Sequence, residues 1–389
     1  MSQDTNNWAP RLGFAYQLAP RTVIRGGSGL YYNVLTLNHT QSISTNIPFG
    51  LIETFEQPAG SVPGITMSNP FPGQGTIPAN PASSLLANPV TPYSLQWNLT
   101  LEREVLGDVG IRVGYYGQRN IKFHGAPDIN AVGPAPGPTQ PRRPYQPYAS
   151  IGLNSNPMFQ STSNQLQLGV QKRYSRGLLL NAEYQFVRVL GTENYQNPFN
   201  WNDSRGNLGG IRKHVLVLSY VYDLPFGKGK RLFSDVGKVT DGIIGGWQLS
   251  GITQALSGSP FSPSFTTSAQ GSVGGRPDVV TGAPFYPAER TLTQYFNAAA
   301  FVKPTEYTFG NASYNLLWGP GQQNWDASLS KSISIREQTI LQIKMEAFSV
   351  FNHPTFGNPS ASISNPAAVG RITSAGGNRT VQLGAKLTF

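Results

Sequence analysis

The four histidines are the first candidates for metal binding or general base catalysis. They are His39, His124, His214 and His353, and no two of them lie within a few residues of each other. Zinc sites in proteins typically contain closely spaced ligands, with cysteine thiolates as the other common donors. The chain contains no cysteine, so thiolate metal sites, disulfides and cysteine nucleophiles are excluded. The sequence therefore predicts no metal site, and His353 is interpreted as part of a Phe-Asn-His-Pro turn.

Carboxylates are the next candidates, because two of them held close together can work as a general acid and a general base. Glu102, Glu183, Asp326 and Glu346 all fall on the polar side of alternating segments, where lining a lumen is the simpler role. The Lys228–Lys230 stretch lacks the spacing of a phosphate-binding loop, and no Gly-x-Ser-x-Gly motif occurs. We therefore predict that the chain is not an enzyme, needs no cofactor, and has no catalytic or cofactor-binding residue. No residue stands out in the sequence as a ligand contact.

The composition is unusual for a water-soluble domain. Charged residues make up 12% of the chain, about half the usual share. The 43 glycines, 31 prolines and 11% of aromatic residues are typical of aromatic-rich strands joined by long connections. The net charge of +10 would suit nucleic-acid binding, but the basic residues are scattered along the chain. We therefore expect no nucleic-acid partner and attribute the charge to contact with anionic lipopolysaccharide.

Alternation of apolar and polar residues with a period of two is the clearest pattern in the sequence. Such a pattern predicts β-strands with one apolar and one polar face. It is compatible with a soluble sandwich, whose apolar face meets a second sheet, and with a membrane barrel, whose apolar face meets lipid. The apolar members of the alternating segments are Trp97, Leu99 and Leu101; Leu166, Leu168 and Val170; Leu178, Leu180, Ala182, Tyr184 and Phe186; Leu341, Ile343, Met345 and Ala347; and Val381, Leu383, Ala385, Leu387 and Phe389.

The connections between strands alternate between tight and long, which favours the membrane barrel. Outer-membrane barrels have short turns at the periplasmic rim and long loops at the extracellular rim. No apolar run reaches the roughly 20 residues that a membrane-spanning helix requires. Tight turns are predicted at Ala19–Arg21, Leu106–Asp108, Tyr174–Arg176 and around Arg336–Glu337, with a longer turn over 223–243. Long loops are predicted near 34–93, 120–162, 191–211, 258–322 and 353–379.

The fold class predicted from these patterns is an all-β, antiparallel transmembrane β-barrel segment with about eleven strands. The last strand ends on Phe389 at the periplasmic rim, as in outer-membrane proteins, whose barrel assembly machinery recognises an aromatic C-terminus. The last strand therefore runs from the extracellular to the periplasmic side. Counting back through the alternating directions, the first strand, near 8–18, runs the same way. Complete bacterial barrels have an even strand number. The parity therefore predicts that the barrel is incomplete and that upstream strands are missing.

Several short motifs, in order along the chain, carry a family resemblance. They are Ala9–Tyr16, Val23–Gly27, Pro92–Asn98, Leu218–Gly229, Gly246–Gly251, Tyr295–Asn297, Gly319–Gly321, Asn324–Asp326 and Glu346–Pro354. Together they resemble the C-terminal half of TonB-dependent transporters of the Oar-like type, which carry a carboxypeptidase-regulatory-like domain. The resemblance implies a location in the outer membrane of a Gram-negative bacterium and uptake of a ligand of unknown identity. In this family a plug domain precedes a barrel of about 22 strands.

The chain departs from the family pattern at its beginning. We find no signal peptide, plug domain or energy-coupling box, so residues 1–389 are interpreted as the C-terminal barrel part alone. Contact with TonB is accordingly expected only through the missing N-terminal regions. Two alternatives stay open: a structural or adhesive outer-membrane protein without active transport, and a soluble all-β carbohydrate-binding or hydrolytic protein.

Overall fold

Eleven long strands and one α-helix are the main elements of the residues that the structure describes. The computed structural model describes residues 5–33, 42–46, 53–57, 60, 64–71, 82–266, 275–336 and 339–389. His39 and Glu337 lie outside these residues. None of the helices in the described part of the chain is long and apolar enough to cross a membrane. The elements are β1 (Arg11–Ala19), β2 (Thr22–Tyr32), β3 (Tyr93–Val105), β4 (Val109–Gly125), β5 (Asn156–Ser175), β6 (Leu178–Thr192), β7 (His214–Asp223), α1 (Lys238–Ile244), β8 (Trp247–Leu256), β9 (Gln322–Arg336), β10 (Thr339–Phe348) and β11 (Thr380–Thr388).

The eleven strands form one sheet in which each strand pairs antiparallel with the next along the chain. A short twelfth strand, Arg205–Asn207, pairs with the end of β6. Smaller pairs join loop segments at Ala82–Leu85 with Ile151–Asn154, Pro260–Phe261 with Leu317–Trp318, Asp278–Val279 with Phe301–Val302, and Thr355–Phe356 with Ala375–Gly376. The prediction of an all-β antiparallel segment with about eleven strands is confirmed.

The strand register places the apolar residues on one side of the whole sheet. On β3 to β7, Leu101, Val113, Leu168, Tyr184 and Leu216 are successive partners. Because side chains alternate between the two sides of a strand, every register match of this kind keeps one side apolar. We call this side the apolar face and the opposite side the polar face. Many of the apolar-face side chains are exposed in the isolated chain, as expected of a surface that meets lipid.

The tight turns lie together at one rim of the sheet, and the long connections lie at the other. Residues 20–21, 106–108 and 176–177 make the first three turns, close to the predicted positions. Arg176 and Gly177 both have positive φ, as a two-residue turn between antiparallel strands requires. At the fourth predicted position, Arg336 and Thr339 are partners in the register of β9 and β10. The predicted longer turn between β7 and β8 instead contains α1, which no pattern in the sequence predicts.

Two strands extend further than predicted. β4 continues to Gly125 and β5 starts at Asn156, so the predicted loop near 120–162 is reduced to 126–155. The register shifts between Asn120 and Phe123 and again before Gly125. These β-bulges break the alternation with period two while the pairing of the strands continues. The sequence pattern therefore ended the strands too early.

The main cluster of buried hydrophobic side chains lies in the long connections. Its centre is Phe261, Phe296, Ala300, Phe301 and Leu317, all of them buried. Half-buried side chains from residues 279–286 and 361–369 pack around them. We call the packed segments 258–266, 275–321 and 353–372 the loop body. It covers the rim opposite the tight turns.

The two outer strands of the sheet have only one neighbour each. Every residue of β1 and of β11 is exposed, and no strand within the described residues pairs with their outer edges. Since all pairings between them are antiparallel and the strand number is odd, β1 and β11 run in the same direction. An unpaired strand edge in lipid leaves backbone N–H and C=O groups without hydrogen bonds.

Candidate functional site

A row of charged side chains crosses the polar face. Glu102, Arg112, Gly169 and Glu183 are successive partners on β3 to β6. Arg112 reaches across β5 and donates two hydrogen bonds from Nη2 to the carboxylate of Glu183, at 2.9 and 3.0 Å. At the other end of the row, Arg25 lies 3.6 Å from Glu102. Opposite charges therefore alternate along the row, which leaves each carboxylate paired on a surface that faces water.

Gly169 makes the longer of these contacts possible. It lies between Arg112 and Glu183 in the register. A Cβ at this position would lie 2.9 Å from Oε1 and 3.0 Å from Oε2 of Glu183, too close for the carboxylate to stay in place. The absence of a side chain on β5 thus opens the path between the two charged groups. A cavity of about 430 Å³ adjoins this row.

Amides and hydroxyls occupy the polar face towards the loop rim. Asn120 accepts hydrogen bonds from Ser94 at 2.6 Å and Gln118 at 2.7 Å. Its Nδ2 donates to Ser161 at 2.9 Å. This network joins three neighbouring strands through groups that also bind water well. Together with the charged row, it makes the polar face a suitable wall for a water-filled passage.

A second cluster lies on the polar face near the C-terminal strands. Asp326 accepts the backbone N–H of Ser349 at 2.9 Å and the side chain of Asn324 at 2.9 Å. Glu346 is paired with Lys344 and accepts a hydrogen bond from Gln382. Both carboxylates line one cavity of about 360 Å³. The predicted position on the polar face is therefore correct for these two carboxylates and for Glu102 and Glu183.

The described histidines take part in local contacts. Nε2 of His124 lies 2.7 Å from the carbonyl oxygen of Val90, and Nδ1 of His214 lies 2.7 Å from the hydroxyl of Tyr184. His353 packs its ring against Phe351. In the part of the chain that the structure describes, no group of three or more His, Asp or Glu side chains could hold a metal ion. His214 and His353 line one cavity of about 580 Å³, but no third ligand among the described residues joins them.

A hydrogen-bonded cluster joins two of the turns at the tight-turn rim. Asp108 accepts hydrogen bonds from Ser175 and from Lys172, the latter at 2.9 Å. These two donors, helped by the positive charges of Lys172 and Arg176, lower the pKa of Asp108 below its ordinary value of 3.8. The carboxylate form is thus the one that this rim stabilises.

A buried ion pair attaches the loop that follows β6 to the loop body. Nη2 of Arg276 donates to the carboxylate of Asp203 at 2.8 Å and to its backbone oxygen at 3.0 Å. Only 7% of the Arg276 side chain is exposed, and burial lowers its pKa while Asp203 acts in the opposite direction. Beside it, Gln196 donates to the carbonyl oxygen of Gly310 at 2.7 Å. No local sequence pattern predicts this pair, because its members lie 73 residues apart in separate loops.

The apolar face, the paired charges of the polar face and the two unequal rims are the features of a membrane-spanning β-barrel. The family model described as "Outer membrane beta barrel domain" matches residues 1–382. The chain belongs to this family. Its location is therefore the outer membrane of a Gram-negative bacterium, and the soluble all-β alternative is wrong.

The fold is similar to that of several solved outer-membrane proteins. The ferric-catecholate import receptor Fiu from K12 E. coli is 11% identical to this chain, with a TM-score of 0.45. The match covers 97% of this chain and 34% of the receptor. BauA, the ferric preacinetobactin receptor from Acinetobacter baumannii, is 9% identical, with a TM-score of 0.47. The match covers 98% of this chain and 36% of BauA. The ferripyoverdine receptor of Pseudomonas aeruginosa is 10% identical, with a TM-score of 0.47. The match covers 98% of this chain and 33% of that receptor.

The chain thus spans about a third of the length of these solved proteins. None of the curated proteins matches it in sequence.

Proposed function

We propose that residues 1–389 form the C-terminal barrel portion of a TonB-dependent receptor that takes up a ligand across the outer membrane. The observation that carries this proposal is the sheet itself, with one apolar face and one polar face across eleven strands. The paired charges and amides of the polar face suit a passage filled with water. The order of the short motifs supports the Oar-like type within this class of transporters.

The two free edges support a role as part of a larger barrel. β1 and β11 run in the same direction, so strands that pair antiparallel with both edges must be odd in number. About eleven further strands would complete a barrel of the size typical of plugged transporters. On this proposal, the plug and the contact with TonB belong to regions outside residues 1–389. The exposed aromatic Phe389 at the end of β11 is the proposed signal for the barrel assembly machinery.

The loop body is the proposed extracellular surface for ligand capture and for contact with lipopolysaccharide. It has its own hydrophobic core, and the ion pair of Arg276 with Asp203 ties the loop after β6 to it. Receptors commonly present binding residues on loops that a rigid scaffold holds in place.

The gene sequence upstream of the Met1 codon is the first test. An in-frame plug domain with a coupling box, followed by an odd number of strands, is the expected result. A stop codon and a promoter at this point, with no plug nearby, would remove support for the importer.

Ligand uptake is tested in living cells of the source bacterium. Spent medium is compared for the parent strain, a strain lacking this gene, and parent cells treated with a protonophore. A compound that only the energised parent removes from the medium is the expected finding. The structural or adhesive alternative predicts equal depletion in all three cultures, and a change in surface attachment when the gene is deleted.

A further inference from the structure

The connection between β7 and β8 folds back onto the apolar face at the tight-turn rim. Lys331 belongs to this face, where it pairs with Trp247 and Ile343 in the register. Its Nζ donates a 2.6 Å hydrogen bond to the carbonyl oxygen of Gly245, just beyond α1, and lies 5.1 Å from the centroid of the Trp247 ring. The connection therefore covers a cation that would otherwise face lipid. We call residues 224–246 the rim insert.

The rim insert and the sheet together form an open apolar groove. The groove has a volume of about 410 Å³. The insert also exposes large apolar side chains outside the groove, including Val239 at 82%. Apolar side chains at this level of a membrane barrel are stable when they contact acyl chains. The residues that line the groove include Leu224, Phe226, Phe233, Ile243, Trp247 and Leu329.

The rim insert that forms this groove also carries four basic side chains. Lys228, Lys230, Arg231 and Lys238 are all exposed. The insert contains only two acidic residues. One of these, Asp241, accepts the backbone N–H of Lys228 at 2.6 Å. The insert as a whole therefore has an excess of positive charge beside an apolar groove, a combination that favours a ligand with an anionic head and an apolar tail.

We propose that the rim insert binds an anionic phospholipid of the periplasmic leaflet. One acyl chain occupies the groove beside Trp247, and the phosphate group contacts the ammonium and guanidinium groups of Lys228, Lys230 and Arg231. The tight turns face the periplasm in outer-membrane barrels, so the insert lies at the level of the inner-leaflet headgroups. The inference rests on the barrel orientation and does not depend on ligand uptake.

Fluorescence quenching of Trp247 tests this proposal. The full chain, as isolated from outer membranes, is placed in two matched series of bilayers with increasing content of brominated phosphatidylglycerol or of brominated phosphatidylcholine. The signal of Trp247 is obtained by subtracting the spectrum of the Trp247→Phe variant. We expect half-maximal quenching of Trp247 at a phosphatidylglycerol content about tenfold lower than the phosphatidylcholine content that gives the same quenching. Equal quenching by the two lipids, or none by either, would overturn the proposal.

A charge-removing variant tests which residues select the lipid. The Lys228→Gln/Lys230→Gln/Arg231→Gln variant should lose the preference for phosphatidylglycerol, because each cation near a membrane surface contributes about fivefold in affinity. The matched control is Lys303→Gln, which removes an exposed cation from the loop body and should keep the preference. An unchanged preference in the triple variant contradicts the assignment.

Salt dependence on the unaltered chain provides a test that needs no variant at these positions. At high ionic strength the headgroup contacts are screened. Quenching by phosphatidylglycerol should then fall to the level of phosphatidylcholine. Quenching that is insensitive to salt would mean that charge does not select the lipid, and the proposal would be wrong.

Discussion

Removal of Asp203 should loosen the loop body much more than removal of its partner Arg276. The guanidinium of Arg276 is almost fully buried, and two of its nitrogens, Nε and Nη1, have no hydrogen-bond partner among the described residues. In Asp203→Ala this cation stays buried without its counterion. In Arg276→Met the buried charge is gone, and Asp203 keeps access to water because 23% of its side chain is exposed.

The expected costs follow from this difference in burial. A buried charge that loses its partner typically costs 3–5 kcal/mol, and partial exposure of Asp203 reduces this to about 3 kcal/mol. Loss of the hydrogen bonds in Arg276→Met costs about 1 kcal/mol. The difference of about 2 kcal/mol corresponds to roughly 30-fold in the equilibrium for local opening. The double variant should resemble Arg276→Met alone, since it contains no orphaned cation.

Hydrogen exchange of peptides from residues 196–208 and 275–312 measures this opening directly. The chain is studied in detergent micelles, and peptides from β3 to β6 are the internal control because the sheet does not depend on the pair. Strong deprotection in Asp203→Ala, weak deprotection in Arg276→Met, and no added effect in the double variant are expected. Equal costs for the two single variants, or additive costs in the double variant, would refute the account of a buried and uncompensated charge.

Three further predictions concern the polar face, the tight-turn rim and the loop core. Gly169→Val should lower the unfolding free energy by about 0.5–1 kcal/mol, because the new side chain displaces the half-exposed ion pair beside it. Gly384→Val is the control, since a Cβ added there meets nothing within 4 Å. Thermal unfolding in detergent distinguishes the two variants. Since the folded-state pKa of Asp108 is lowered, its stabilising effect is present at neutral pH and is lost as the pH falls below 3.8 through the folded-state pKa. Asp108→Asn should therefore melt earlier than the parent chain at pH 7 and equally at the acid end of a pH series. Phe296→Ala should cost about 3–5 kcal/mol of loop stability, measured by proteolysis of the folded chain, whereas the exposed Phe199→Ala should be nearly neutral.

The sequence predicted the sheet well because one local rule governs it. The alternation along residues 178–186, for example, is sufficient to place β6 within a residue or two and to assign its two faces. The rule fails where the alternation breaks while pairing continues, as at the bulges between Asn120 and Gly125. It also misses α1, whose seven residues lie inside a stretch with the composition of a turn.

The loop body and the long-range pairs were beyond the reach of local patterns. Phe261, Phe296 and Phe301 come together from segments up to 40 residues apart, and none of them belongs to a periodic pattern. The contact of Arg112 with Glu183 was also not predicted, although both faces were assigned correctly. It depends on a glycine on the strand between them, and only the register of β4, β5 and β6 reveals this position.

The location of the core in the loops follows from the solvent on each side of the sheet. The apolar face meets acyl chains, so folding gains little from burying Leu168 or Val113 against other protein groups. The loop body meets water, where burying Phe296 and Leu317 is strongly favourable. Truncation of a large apolar side chain should therefore be costly in the loop body and mild on the apolar face, while a new charge on the apolar face should be costly at mid-membrane depth. The two kinds of substitution distinguish lipid from water as the solvent of each surface.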